Sequence, residues 1–218
     1  MDALKPLRVV IIDDELLLAK TLGAWLETDP GLKMAGYATG GNPGWELCAA
    51  ARPDLVLLEV EMSDGDGLTL ARRLCEHQWG IRVILMTRRV DPHTAWRAGQ
   101  TGAQGLVDKS IEPATLAGVI RLVAGEGTYT SPAFRKIQEE QLTEPAAFYK
   151  VLTNRELAVL YYLTDGWDDP AIARHLKISV ETVVCHRKNL RRKLGLHDDR
   201  GLIGYGRKWG IYGGPPPP

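Results

Sequence analysis

Short apolar runs alternate with stretches of helical periodicity through the first half of the chain. LRVVIID (7–13), LKMAGYA (32–38), DLVLL (54–58), IRVILMT (81–87) and GAQGLV (102–107) have the length and composition of strands. Between and after them, apolar positions recur at helical spacing over 15–28, 45–51, 68–76, 92–98 and 113–123, the second of these following a GGNPG turn. Strands alternating with helices of this length predict an α/β fold, a doubly wound five-stranded parallel sheet with helices on both faces. From Leu152 the pattern is helical only, with four helices expected at 153–164, 170–177, 180–194 and 199–209. Turns fall at Asp165–Gly166, Lys177–Ser179 and Gly195–Leu196. The expected division is therefore residues 1–125, a polar linker with room for a short helix over 126–148, an all-α unit over 149–211, and a mobile proline-rich tail over 212–218.

Composition narrows the function classes. The 218 residues balance 27 basic against 27 acidic side chains, yet the halves differ. Residues 1–127 hold 13 basic and 17 acidic, net −4, and residues 128–218 hold 14 and 10, net +4. Within 174–208 the tally is 10 to 3, or +7, a block that suggests nucleic acid as a partner or else a solvated helix surface. No apolar run approaches the roughly 20 residues of a membrane span. The N-terminus has no signal-peptide core or cleavage site, so cytoplasmic residence is expected. Cys48, Cys75 and Cys185 lack metal-ligand spacing and read as reduced thiols.

Chemistry-bearing residues gather at the predicted strand ends. Asp13 and Asp14 end the first strand, Glu59 the third and Thr87 the fourth, and Lys109 follows the fifth. In an open α/β sheet these ends lie along the edge where ligands bind. Asp13 and Asp14 with another carboxylate can coordinate Mg²⁺, and a hydroxyl and an ammonium nearby can hold phosphoryl oxygens. The turn DGDG (64–67) is no calcium loop, since Leu68 and Cys75 stand at its fifth and twelfth positions.

With the Asp13–Asp14 pair, PDLVLLEVEMSDGDG, Thr87 in VILMT and Lys109 in GAQGLVDK, the first half resembles the receiver domain of two-component response regulators. That resemblance implies Mg²⁺ held by the acidic pair, a phosphoryl group taken from a histidine kinase onto an aspartate at the end of the third strand, and Thr87 and Lys109 reading the phosphate. Three positions depart from the pattern: Glu59 stands at the phosphoacceptor position, Ser63 replaces the usual proline, and Leu106 replaces the aromatic residue of the fifth strand. Glutamate reaches about one methylene further than aspartate, and an offset of ~1 Å from attack geometry costs ~100-fold in rate. Glu59 then mimics the phosphorylated state by pairing with Lys109, marks a receiver whose switch has decayed, accepts phosphate slowly, or binds a different ligand. The cognate kinase is open, and no cofactor is required beyond this possible Mg²⁺.

The second half holds PAIARHLKISVETVVCHRKNL, a helix, short turn and second helix with Ser179 as N-cap. Val183, Leu190 and Leu194 fall on its core side, and Val184, Cys185, Lys188, Arg191 and Arg192 on the other. LTNRE, Gly166, IARHL, ISVETV, His186 and NLRRKL resemble the helix-turn-helix of NarL/FixJ-type regulators, the LuxR type. The resemblance implies a helix read into the DNA major groove. Thr182, Val184, Cys185 and Lys188 lie at its front, with Arg187, Arg191 and Arg192 neutralising phosphates. Val184 stands where a lysine is usual, and His186 corresponds to a scaffold residue. The last helix, with Leu202, Ile203, Tyr205 and Trp209, corresponds to a dimer helix. Together these features predict a homodimeric transcriptional regulator that binds double-stranded DNA, with no catalytic residues and no membrane attachment. The alternative is an interaction protein whose receiver docks a partner and whose DNA contact is weak. An enzymatic phosphohydrolase reading lacks its nucleophilic aspartate at Glu59.

Overall fold

The computed structural model describes residues 5–144 and 147–213. The expected tail from residue 214 onward lies outside them. The chain forms two compact units, Met1–Val90 with Arg97–Lys136, and Asp91–Trp96 with Ile137–Pro218.

In chain order the first elements are β1 (Leu7–Ile12), α1 (Leu16–Leu26), β2 (Leu32–Ala38), α2 (Gly41–Ala51), β3 (Leu55–Glu59), β4 (Glu61–Met62) and β5 (Gly65–Asp66). They continue as α3 (Gly67–Glu76), β6 (Arg82–Thr87), α4 (Pro92–Gly99), β7 (Gly105–Asp108), α5 (Pro113–Ala124), β8 (Tyr129–Thr130) and α6 (Pro132–Thr143). The sheet runs β2-β1-β3-β6-β7-β8, and every adjacent pair is parallel. The five long strands are those the sequence predicts. A sixth, two-residue strand, β8, extends the edge inside the stretch expected to be linker, and α6 follows it there. β4 and β5 form a small antiparallel ladder in the loop after β3.

β3 is central and all five of its residues are buried, so its unbroken apolar run reflects burial on two faces. Val9, Ile11, Leu55, Leu57, Ile84, Met86 and Val107 pack with Ala19, Leu26, Leu116 and Ile120 of α1 and α5. Successive strand residues face opposite sides, so Val56 and Leu58, fully buried as well, serve the other face.

Two boundaries differ from expectation. α2 begins at Gly41, inside the expected GGNPG turn. Its Gly41 N–H donates to the Asp64 carboxylate at 3.0 Å, so the cap comes from the loop after β3 and leaves no local signature. Pro43 is tolerated in the first turn, where its missing N–H would lack a helical partner anyway. β7 starts at Gly105, because its ladder with β6 begins at Ile84 opposite Gly105.

The second unit contains α7 (Phe148–Val151), α8 (Asn154–Thr164), α9 (Asp169–Leu176), α10 (Val180–Leu194) and α11 (Asp199–Trp209). The four expected helices form, preceded by the single turn α7. Thr153 and Glu156 make a reciprocal capping box on α8. Asp168, Ser179 and Asp198 each accept a backbone N–H as N-caps of α9, α10 and α11. Leu157, Leu160, Ile172, Ala173, Val183, Leu190, Leu202 and Trp209 share the core. The apolar face of α11 is thus largely spent inside its own unit: Leu202 and Trp209 are buried. Gly206 is there because a Cβ would lie 2.0 Å from Thr164 Oγ1 on α8. Of the other residues expected to form a dimer helix, Ile203 and Tyr205 are half-buried.

Candidate functional site

At the C-terminal edge of the sheet, the ends of β1, β3 and β7 bring Asp13, Glu59 and Lys109 together. The Lys109 ammonium lies 2.6 Å from Asp13 Oδ2 and pairs with Glu59 Oε2 as well. All three side chains are buried, at 7% exposure or less. Asp13 Oδ1 accepts the Glu15 N–H at 2.9 Å, and Glu59 Oε1 accepts the Glu61 N–H at 3.0 Å. Burial, the largest influence on Glu59, raises its pKa above the ordinary value. The Glu61 N–H and Lys109 oppose the rise and the Asp13 charge adds to it. Burial works against the charge on Lys109, but its two carboxylate partners outweigh it and raise its pKa.

The other two predicted pocket residues have different partners. Asp14 Oδ2 accepts the Ser63 N–H at 3.0 Å, and the buried Thr87 hydroxyl accepts the Arg89 N–H at 2.9 Å. Asp13 and Asp14 are the residues that would hold Mg²⁺, together with waters, and one oxygen each of Asp13 and Glu59 pairs with the Lys109 ammonium.

Gly67, last residue of the DGDG turn, is dictated by Glu59. A Cβ at Gly67 would sit 1.9 Å from the Glu59 carbonyl oxygen, and the Gly67 N–H donates to Val60 O. Two further pairs cross the pocket rim. Arg89 reaches Glu61 at 3.1 Å, and Arg88 Nη2 reaches Glu15 at 2.7 Å. Because β3 lies between β1 and β6, the Arg88–Glu15 pair spans the end of the strand that carries Glu59. Only the strand order, which local sequence does not state, makes these charges neighbours.

The basic surface is built on α10. Val184, Cys185, Lys188 and Arg192 are exposed, with Val184 at 49%. Val183 and Leu190 are fully buried on the opposite side, as the helical wheel predicts. Thr182 pairs with the cap, its hydroxyl 3.0 Å from Ser179 Oγ. Arg187 and Arg191, expected to meet phosphates, pair with carboxylates of the same unit. Arg187 Nη1 lies 2.5 Å from Asp169 Oδ1 and its Nη2 bonds Asp199, and Arg191 Nη1 lies 3.0 Å from Asp199 Oδ1. Lys193 closes on Glu156 at 2.7 Å, tying α10 to the α8 capping box.

Residues 9–121 match the family model described as "Response regulator receiver domain". This chain belongs to that family. Residues 150–205 match a second model, "Bacterial regulatory proteins, luxR family". The regulator is 30% identical to the transcriptional regulatory protein MctR of Rhizobium johnstonii, over 94% of this chain and 95% of MctR. It is 28% identical to LiaR of Bacillus subtilis, over 88% and 92% of the two chains. Its fold is similar to that of the Salmonella typhimurium response regulator RcsB, with a TM-score of 0.65, 20% identity, and 93% and 97% coverage. A structure of two RcsB dimers bound to two parallel DNAs gives a TM-score of 0.63, 20% identity, and 94% and 99% coverage. The chain is a transcriptional regulator of the response-regulator type with a LuxR-type DNA-binding domain. Among its described residues no helix is long and apolar enough to cross a membrane.

Proposed function

We propose that this regulator binds duplex DNA through α10 as a homodimer on paired half-sites, and that ordinary aspartyl phosphorylation does not switch it. The observation that carries the second part is the buried Lys109 ammonium shared by Glu59 and Asp13. A carboxylate one methylene longer than aspartate reaches the lysine that reads phosphate in the receivers this domain resembles, and meets it inside the fold. Leu106, where a rotating aromatic residue is usual, is buried among the strands at 6% exposure, which suits a fixed domain. The regulator acts in the cytoplasm, where its target DNA lies, and carries no catalytic residue.

On the DNA side, Lys188 and Arg192 supply charge to phosphates. Val184 and Cys185 present small apolar groups suited to thymine methyls in the major groove. A single helix-turn-helix offers a small footprint, and paired half-sites supply the remaining area. The test is DNA retention by the full chain before and after incubation with a small phosphoryl donor and Mg²⁺. The expected affinities are equal. A rise in affinity after treatment refutes the fixed-receiver reading, and a flat, sequence-blind response to salt refutes specific DNA binding.

A further inference from the structure

We infer that α10 divides its basic side chains between two tasks: Arg187 and Arg191 are positioning residues held off DNA by Asp169 and Asp199, and Lys188 and Arg192 alone carry the phosphate contacts of this helix. The inference rests on the DNA-binding reading above and refines it. Arg187 and Arg191 lie one turn apart along α10, and Lys188 and Arg192 form a parallel row about 100° around the helix. The two rows have different surroundings. Lys188 and Arg192 are exposed, and among the described residues neither has a carboxylate partner. The Arg187 side chain is 21% exposed and the Arg191 side chain 32%.

Arg187 joins three helices. Its Nη1 bonds both oxygens of Asp169, in the first turn of α9, at 2.5 and 2.6 Å. Its Nη2 bonds Asp199 in the first turn of α11, and Asp199 in turn holds Arg191 at 3.0 Å. Each aspartate also sits where a helix N-terminus favours negative charge, so neither is readily surrendered. Two guanidiniums and two carboxylates leave the group neutral. A phosphate recruiting Arg187 would have to break charge-assisted bonds to two acids and would then lie beside both of them. The network therefore fixes the rotation of α10 against α9 and α11. It also lowers the charge that α10 presents to any sequence, which restrains non-specific binding.

The test is the salt dependence of binding by the full chain to a random-sequence duplex. Lys188→Ala and Arg192→Ala should each flatten the slope of log K against log salt by about 0.9. Arg187→Met should weaken binding at every salt concentration and leave the slope unchanged, and Arg187→Lys should restore part of the affinity. Asp169→Asn combined with Asp199→Asn releases both guanidiniums and should steepen the slope by at least about 0.9. A slope flattened by Arg187→Met as much as by Lys188→Ala overturns the inference, as does an unchanged slope in the double asparagine variant. A wild-type chain that shows no salt-dependent retention refutes the DNA-binding reading instead. The pairing is then read by NMR of the DNA-free chain. Hindered rotation of the Arg187 guanidinium, lost in the double asparagine variant, supports it, and free rotation in the wild type overturns it.

Discussion

Glu59 and Lys109 form a buried ion pair across two strand ends, and Asp13 shares the same ammonium at 2.6 Å. This relationship places an internal cation against the carboxylate that stands at the phosphoacceptor position. Its first consequence concerns titration. Burial opposes the charge on Lys109, but its two partners raise its pKa above 10.5 in the folded chain. The Lys109 side of the pairing therefore contributes stability that is present while its carboxylate partners are ionised and is lost as pH rises from 10.5 through the folded value. Glu59→Gln removes one partner and should bring the Lys109 titration down towards its ordinary value, as followed by NMR of the lysine side chain. A Lys109 pKa unchanged by Glu59→Gln would show that the pair does not exist in solution.

Glu156 behaves in the opposite sense. Burial pushes its pKa up, but Lys193 and the Thr153 N–H and hydroxyl overcome this and hold it below 4.5. Its contribution is present above pH 4.5 and lost as pH falls through the folded value. Glu156→Gln should lower the denaturant midpoint at neutral pH and lose that difference in acid. Thr153→Ala should cost ~1 kcal/mol through loss of the N-cap. Chemical denaturation at several pH values checks both.

Two helical glycines should respond with opposite signs. Gly67→Ala forces a Cβ to within 1.9 Å of the Glu59 carbonyl and should destabilise by about 2 kcal/mol or more. Gly204 lies exposed in α11 with open space around its Cβ position. Gly204→Ala should stabilise by roughly 0.5–1 kcal/mol through helix propensity. Thermal or denaturant melting of the two variants distinguishes them.

Much of the fold is legible in the sequence because burial writes itself into composition. The run Leu55–Leu58 reads as a two-faced strand, and the Val183/Leu190 spacing gives the buried side of α10. Ser179 announces a helix start in a residue type that forms local hydrogen bonds. Interactions that depend on topology stay hidden. The cap on Gly41 comes from Asp64, and the Arg88–Glu15 pair crosses a strand that sequence separates from both. The paired state of Arg187 follows from α9 and α11 converging on α10, so a count of basic residues overstates what that helix presents to DNA. Of the acidic site, the residue types were readable, but the sharing of Lys109 between Asp13 and Glu59 required the strand order.

The most direct measurement of the fixed receiver is intact-mass analysis of the full chain after exposure to a small phosphoryl donor with Mg²⁺. The Glu59–Lys109 pairing predicts a wild-type mass that stays at that of the unmodified chain. A stoichiometric phosphoryl adduct on the wild type, absent from Glu59→Gln, would contradict it.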